Sequence, residues 1–463
     1  MLRKLGLRGL LWRGLVGLRD IRVLRPRIGV TGVWGLLRRL RVRRVLRLRG
    51  HVKATSTREG MFDPHRALSS VHELAHRRFA GRRLGTRGHD LARQWTEARL
   101  DSWGLPVRRH PFSYSSTIVE VRRRPRVDVR YGRGNGSRPL EYRTDFAEHP
   151  SSAAARGTFR GPLRRGKTSS GSRGSWLLAN STPGTASLGQ QASDGESAGA
   201  LGLVVPFTVP PKGVIFKQLF AGDPLALPTL FVRRQLLGNP FPERLEADLD
   251  LRRAPLRGTN LIAELPGSDP SLATRPLLVG AHFDAVGDDP QGLRFPGASD
   301  NASGLAVVLE AARVCRGRTG RFARPVWFAA FDAEETGANG SRALAAELQH
   351  AGMDPLVANV DIAARVGLPV TVEGSANATG LFAALDAVGR RLGILLRQGP
   401  MQSDNRQFAA RGFASVGLGS GGIGYHTPQD VPERVQLEAL RRMGKLLVGL
   451  IEEVAGRSSL RSP

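Results

Sequence analysis

The chain has 463 residues, of which 41% are hydrophobic, so it is long enough for two or three domains with cores of their own. The net charge is +29, and arginine supplies 63 of the 69 basic residues because only six are lysine. This bias is as typical of a GC-rich coding sequence as of an anion-binding surface. No aromatic interleaving or helix-turn-helix pattern accompanies it, so we expect no nucleic-acid partner.

Residues 1–60 form an Arg-rich segment with 17 basic and two acidic side chains, and so with +15 of the net charge. Its longest uncharged run, residues 28–37, is far shorter than the roughly 20 apolar residues of a membrane span. No small-residue cleavage site follows that run, so a signal peptide is not evident either. We predict no membrane span, and we interpret the segment as disordered or as a mis-assigned start, with translation beginning at or near Met61. The single cysteine, Cys315, excludes an intramolecular disulfide and indicates no compartment.

Residues 61–156 begin with two amphipathic helices within 66–104, separated by a glycine-rich break, and continue with probable strands. Residues 157–255 contain short β-like runs between prolines and glycines and show no long helical period, which is typical of a small β-rich inserted domain. From 256 to 455 strands alternate with helices. This α/β pattern predicts a mixed, largely parallel sheet with helices on both faces, followed by a tail at 456–463.

Polar motifs follow the predicted strands of the last third of the chain, where an open α/β sheet places its reactive groups. They are His282-Phe-Asp284, Ser299-Asp300-Asn301, Glu334-Glu335, Asn359-Val-Asp361 and Tyr425-His426-Thr-Pro-Gln-Asp430.

Most of these motifs have a structural interpretation beside a metal-binding one. His282 ends an apolar run and Asp284 can orient its imidazole, although His-x-Asp alone is more often structural. Asp300 lies in a small-residue loop before a helix, where it is either a helix cap or a carboxylate that bridges two metal ions. Asp361 and His426, taken singly, are equally well explained as solvated surface residues.

The pair Glu334-Glu335 favours the metal-binding interpretation, since adjacent glutamates at a strand end repel each other unless a cation or proton intervenes. We predict that Glu335 binds metal and that Glu334 is the general base of a metal-assisted amide hydrolysis. The predicted ligand sets for two Zn²⁺ are His282, Asp300 and Asp361, and Asp300, Glu335 and His426. Asp354 competes with Asp361, but it precedes its strand and is therefore disfavoured.

Together the motifs resemble those of the co-catalytic di-zinc exopeptidases, a family that includes bacterial leucyl aminopeptidases, glutamate carboxypeptidases and, more distantly, glutaminyl cyclases. The resemblance spans residues 66–455 and likens 157–255 to a protease-associated domain. It implies the same metal ligands, Glu334 as base, Asp284 as the partner of the first histidine, and Tyr425 as a group that polarises the substrate carbonyl. It also implies peptide substrates and an exported protein, and it leaves the oligomeric state open.

We therefore expect a zinc-dependent exopeptidase, with an aminopeptidase as the first hypothesis and a carboxypeptidase or dipeptidase of the same family as the second. A glutaminyl cyclase is disfavoured because those enzymes hold one zinc, whereas both additional ligands, His282 and Asp361, match here. Two departures from the family pattern are the long stretch 287–294, which bears on substrate size, and Ser403-Asp404-Asn405, where the family has Ser-Asp-His.

One rival motif is His72-Glu-Leu-Ala-His76, a literal zincin signature on a predicted helix, with Glu97 as a candidate third ligand. The two histidines flank an apolar face that packs the opening helix, so we favour a surface coincidence. A catalytically silent binding protein on the same scaffold is the third hypothesis. Such homologues usually lose metal ligands, and none is missing here.

Overall fold

The computed structural model describes residues 61–132, 136–165, 170–180, 187–209 and 213–456. The predictions for the Arg-rich segment, and for nearly all of the tail, lie outside these residues. No helix in the described part of the chain is long and apolar enough to cross a membrane.

Two helices open the described part of the chain, strands dominate residues 107–265, and helices and strands largely alternate after that. The helices are α1 (Pro64–Leu74), α2 (Arg87–Asp101), α3 (Leu188–Ser197), α4 (Gly304–Arg316), α5 (Asn339–His350), α6 (Thr379–Leu392), α7 (Asn405–Ala409) and α8 (Leu437–Ala455). The strands are β1 (Val107–Val121), β2 (Arg126–Arg130), β3 (Ser137–Leu140), β4 (Phe146–Glu148), β5 (Ala155–Arg164), β6 (Trp176–Leu178), β7 (Gly202–Phe207), β8 (Thr229–Arg233), β9 (Arg244–Leu265), β10 (Leu277–His282), β11 (Val326–Phe331), β12 (Leu356–Val360), β13 (Val370–Gly374), β14 (Leu396–Gln398) and β15 (Ser415–Gly419).

The central sheet runs in the order β14-β13-β15-β12-β10-β11-β9. Strand β10 pairs in parallel with β11 and β12, and β12 pairs in parallel with β15. The antiparallel pairs β13-β15 and β11-β9 flank this parallel centre. The predicted mixed, largely parallel sheet is confirmed.

Alternate residues of the central strands face two different cores. In β10, Leu277 and Val279 join the core that includes α1, α4, α6 and α8, whereas Leu278 joins the core that includes α5 and Phe408 of α7. Because successive strand residues point to opposite faces, a strand covered on both faces is apolar throughout. This explains the uninterrupted apolar runs in the sequence and confirms the helices on both faces.

A further core lies between residues 119 and 251, so it begins before the segment 157–255 that was predicted as an inserted domain. Strand β9 joins this core to the central sheet: Leu245 and Leu249 lie in the former, and Leu261 and Leu265 in the latter. The segment 157–255 also contains the ten-residue helix α3, whose buried face consists of small residues and therefore has weak helical periodicity. The likeness of the segment 157–255 to a protease-associated domain stays a prediction.

Candidate metal centre

The predicted site residues meet at the carboxyl ends of the central strands. His282 is the last residue of β10 and pairs in register with Phe331, the last residue of β11. Three residues after Phe331 the chain reaches Glu334, and Asp361 directly follows the parallel strand β12. Because parallel strands end at one edge of the sheet, distant parts of the sequence converge there.

One group of ligand atoms surrounds His282, which is fully buried. Its Nε2 lies 3.3 Å from Oδ1 of Asp300 and 3.5 Å from Oδ1 of Asp361. These three side chains each offer one ligand atom, and the three atoms lie within 4.8 Å of one another. They are the first ligand set that the sequence predicted.

A second group surrounds His426, in the loop after β15. Its Nε2 lies 3.3 Å from Oδ2 of Asp300 and 2.8 Å from Oε2 of Glu335. The two carboxylate oxygens of Asp300 thus face different groups, one toward each histidine. The structure therefore brings together the second predicted set and gives Asp300 the position of a bridge.

The atoms that face into these two groups have the chemistry of cation ligands. His282 Nε2, His426 Nε2, Asp361 Oδ1 and Glu335 Oε1 are buried and have no hydrogen-bond partner. A buried polar atom without a partner costs free energy, and buried charges are normally paired or bind metals. Two imidazoles and three carboxylates, with Asp300 shared, fit two cations that prefer nitrogen and oxygen ligands.

The pKa values of the ligand side chains also reflect the uncompensated charge in this cluster. Burial lowers the pKa of His282, but the carboxylates around it, Glu334 foremost, raise it well above its usual value. Burial raises the pKa of Glu335 to about 7, against the opposing effect of His426. Without a cation the cluster therefore tends to keep protons, and a bound metal would displace them.

Comparison with known proteins finds a family match over the part of the chain that holds this cluster. Residues 260–451 match the sequence model of peptidase family M28. The matched stretch is called the M28 segment below. All five predicted ligands, from His282 to His426, lie within the M28 segment.

Curated relatives match shorter stretches. A probable leucine aminopeptidase of Trichophyton verrucosum is 53% identical over 55 residues, which cover 12% of this chain and 14% of that protein. A probable leucine aminopeptidase of Arthroderma otae is 26% identical over 226 residues, which cover 43% of this chain and 58% of that protein. The chain thus spans less than two thirds of the length of either relative.

Solved structures match over most of the chain. A zinc aminopeptidase from Bacillus subtilis superposes with a TM-score of 0.65 at 20% identity, over 88% of this chain and 98% of that one. An aminopeptidase from Aneurinibacillus sp. strain AM-1 gives a TM-score of 0.63 at 20% identity, over 85% and 94%. At this identity the likeness establishes a shared fold.

Within the M28 segment, Asp284 supports two strand ends. Its carboxylate accepts hydrogen bonds from the backbone N–H groups of Glu334 and Glu335, at 3.0 and 3.1 Å. Nδ1 of His282 lies 3.6 Å from that carboxylate and 3.2 Å from the Asp284 carbonyl oxygen, which is the atom at hydrogen-bond distance. Asp284 thus holds His282 through its backbone and the glutamate pair through its side chain.

Two supporting residues had no predicted role. The Asp430 carboxylate accepts from the backbone N–H groups of Ser299 and Asp300, at 2.6 and 3.1 Å, and so fixes the bridging residue. Buried Arg82 donates to backbone carbonyl oxygens of Leu74, Phe283, Pro296 and Gly297, each at 2.8 Å. Asp430 belongs to a motif that the sequence analysis quoted, whereas no local pattern distinguishes Arg82 from the other arginines.

Asp404 is a third buried residue that the sequence analysis left without a role. Neither of its carboxylate oxygens has a hydrogen-bond partner. Burial raises its pKa to about 7, with His282 opposing the shift. Its neighbour Asn405, which replaces the family's histidine, donates to Glu373 at 3.1 Å and so packs away from the ligand groups.

A cavity of about 560 Å³ opens beside the second group and is lined by Glu334, Glu335, Tyr425 and His426, among others. Tyr425 is 49% exposed, and its ring stacks on His426 with a centroid distance of 3.8 Å. Burial and then the nearby carboxylates raise the pKa of its hydroxyl, so the group stays protonated and can donate a hydrogen bond. The cavity is the space in which a substrate can reach these residues.

The rival residues lie elsewhere. Helix α1 ends at Leu74, so His72 and His76 do not share a continuous helical face, and both are exposed. The Glu97 carboxylate accepts hydrogen bonds from Nε and Nη2 of Arg109, at 2.7 and 2.8 Å. Among the described residues these three side chains form no ligand group.

Asp354, the competitor of Asp361, also lies outside the cluster. Its side chain is largely exposed and pairs with Arg275 at 3.0 Å.

Proposed function

We propose that the protein is a zinc-dependent aminopeptidase that binds two Zn²⁺ and removes N-terminal residues from peptides. One observation carries the proposal: two ligand groups share Asp300, and the histidine Nε2 atom of each group is buried without a hydrogen-bond partner. In this proposal His282, Asp300 and Asp361 hold one ion, and Asp300, Glu335 and His426 hold the other. The names of the relatives and of the solved structures support zinc and the aminopeptidase activity.

When bound, zinc held by these residues would supply Lewis acidity, which polarises a scissile carbonyl and lowers the pKa of a bound water molecule. Glu334 is the general base of this proposal. Its backbone is fixed by Asp284, and its side chain faces the cavity. It accepts the proton of the attacking water and delivers it to the departing amine nitrogen, so the base is regenerated in each cycle.

The environment of Glu334 suits this task. Burial raises its pKa well above the usual value; the nearby carboxylates raise it further and His282 opposes them. A carboxylate with a raised pKa holds a proton more readily during the transfer than an ordinary surface glutamate does. Tyr425, which remains protonated, is placed to donate a hydrogen bond to the carbonyl oxygen as negative charge develops on it.

The charges around the cavity favour recognition of an amino end over a carboxylate. Arg406 lines the cavity, but both oxygens of Glu373 bind its guanidinium, with Nη2 at 2.7 Å from Oε1. Its charge is therefore compensated, whereas a carboxypeptidase needs a cation available for the substrate's terminal carboxylate. The ammonium group of a peptide meets the acidic side of the cavity instead.

Two measurements test this function. Elemental analysis of the purified protein should find about two equivalents of zinc, and removal by a chelator should abolish hydrolysis until zinc is restored. A panel of aminoacyl chromogenic amides should be cleaved, and N-blocked dipeptides should not. A protein that holds no zinc would contradict the metal assignment, and cleavage of the N-blocked dipeptides alone would establish a carboxypeptidase.

A further inference from the structure

A segment outside the M28 segment crosses the candidate metal centre. Residues 213–222, called the strap below, run between β7 and β8. The backbone N–H of Lys217 donates to the carbonyl oxygen of His426, and that of Ala221 donates to Thr336, each at 3.2 Å. The strap therefore spans the two loops that carry His426 and Glu335.

Lys217 fastens the strap to a third loop of the site. The residue is only 4% exposed. Its Nζ donates to the carbonyl oxygens of Gly287 and Asp288, at 2.7 and 3.2 Å, and to the Asp289 carboxylate at 2.9 Å. These acceptors lie in the long stretch after Asp284 that departs from the family pattern. The stretch is thus where the strap docks.

The anchor is balanced electrostatically. Asp289 also accepts two hydrogen bonds from Arg143, at 2.8 and 2.9 Å, and Arg143 in turn donates to Glu148 at 2.6 Å. Two buried cations thus face two buried carboxylates, so the desolvation cost is offset by partners in good geometry. An anchor of this kind holds the strap in one position.

Between its two backbone contacts the strap turns side chains toward the substrate cavity. Gln218, Leu219 and Phe220 line the cavity together with Glu334 and Tyr425. Phe220 is 50% exposed, so half of this large apolar side chain is accessible to a ligand in the cavity. Phe216, in the same strap, is 48% exposed but does not line the cavity.

We propose that Phe220 is a specificity-determining residue that contacts the substrate's side chain, and that Lys217 is the positioning residue that holds the strap there. The inference rests on the proposed function, because it assumes that the cavity receives a peptide. It deepens that function by assigning selection between large and small apolar side chains to residues outside the M28 segment. Apolar contact scales with the area buried, so a substrate with leucine gains more from Phe220 than one with alanine.

The test compares Phe220→Ala with the matched control Phe216→Ala. Amides of leucine, phenylalanine and alanine, and N-blocked dipeptides ending in the same residues, are given to the wild type and both variants. Phe220→Ala should lower kcat/KM for leucine and phenylalanine substrates about tenfold or more, and that for alanine at most about threefold. Phe216→Ala should change neither.

Lys217→Met tests the anchor and keeps a side chain of similar length. It should raise KM for the leucine substrate and bring the leucine-to-alanine ratio toward that of Phe220→Ala, while kcat changes little. Zinc content should stay at the wild-type value. Thermal unfolding shows whether this variant is folded. If it is not, the inference is tested on Phe220→Ala alone, which removes only a half-exposed side chain.

The outcomes separate this inference from the proposed function. An equal loss for leucine and alanine substrates in Phe220→Ala, or the same loss in Phe216→Ala, would overturn the role of Phe220. Cleavage of the N-blocked set alone would refute the aminopeptidase, but the comparison would then be made on that set. If neither set is cleaved, calorimetric binding of free leucine and alanine to the same proteins provides the same comparison.

Discussion

Two buried clusters of charged side chains in the described part of the chain differ in how far their charges are compensated. Beneath the strap, Arg143 and Lys217 face Asp289 and Glu148, and hydrogen bonds of 2.6–2.9 Å join them. In the candidate metal centre, carboxylates outnumber imidazoles, and buried ligand atoms that include Nε2 of both histidines lack hydrogen-bond partners. The charges of the first cluster compensate one another, whereas the second cluster leaves atoms that a bound cation would satisfy.

The difference shows that buried charge alone does not mark a functional site. Both clusters are deep, both contain acids, and both join segments that are distant in sequence. What distinguishes the metal centre is the unsatisfied atoms, since a structural ion pair is retained only when its partners compensate the desolvation. The predictions below therefore perturb each cluster in turn and measure the property assigned to it, which is activity and zinc binding for the metal centre and stability for the other cluster.

Glu334→Gln is expected to have the largest effect. The amide cannot accept the proton of the attacking water, so kcat should fall by up to about 10⁴-fold, equivalent to roughly 5.5 kcal/mol. Because Glu334 belongs to neither ligand group, zinc content should stay at the wild-type value. Steady-state kinetics and elemental analysis on the same sample measure both.

The matched control is the neighbouring Glu335→Gln. Glu335 faces His426 in the second ligand group, so this variant should lose zinc as well as activity. If Glu334→Gln lost zinc and Glu335→Gln retained it, the roles of the two glutamates would be exchanged.

Asp289→Asn perturbs the other cluster and should act on stability. It removes the carboxylate that Arg143 and Lys217 share and leaves two buried cations with Glu148 alone, which costs about 3–5 kcal/mol. The free energy of unfolding from urea titration should fall by that amount. The control Asp248→Asn breaks a partly exposed pair with Arg123 and should cost about 0–1 kcal/mol. Equal losses in the two variants would show that the buried cluster is not a special anchor.

The pH dependence of stability gives a finer test of the same anchor. Burial raises the pKa of Asp289, but Lys217 and Arg143 outweigh it and hold the pKa at about 2, below the ordinary 3.8. A depressed folded-state pKa stabilises the protein above the unfolded-state pKa, and this contribution is lost as the pH falls from about 4 to 2. It amounts to about 2–3 kcal/mol. The difference in unfolding free energy between wild type and Asp289→Asn should shrink over that interval, and a constant difference would exclude the assignment.

The sequence predicted the metal centre better than the anchor for a physical reason. His282 ends a strand that is recognisable from its own apolar run, Asp361 directly follows another, and parallel strands bring such ends together. The anchor pairs Asp289 with Arg143 across 146 positions, and no local pattern specifies that contact. In a chain with 63 arginines, a single functional arginine does not stand out.

Secondary structure shows the same limit. Strand β9 covers residues 244–265, but the sequence indicated only a short run near 249–251. Its first half packs in the core that lies between residues 119 and 251 and its second half in the core of the central sheet, so the burial pattern changes along the strand. The length of such a strand depends on its tertiary contacts, and a short window of sequence does not contain that information.

The smallest effect is expected from His72→Ala combined with His76→Asn, which removes the zincin-like motif. Both histidines are exposed, and helix α1 ends between them. His76 Nδ1 accepts a hydrogen bond from the backbone N–H of Arg78 at 3.2 Å, and asparagine can preserve that cap. Stability should therefore change by less than about 0.5 kcal/mol, and kcat/KM and zinc content should match the wild type. Loss of zinc in this variant would place the metal at the opening helix and leave the cluster around Asp300 with a structural role only. The buried Nε2 atoms of His282 and His426, which have no hydrogen-bond partner, argue against that outcome.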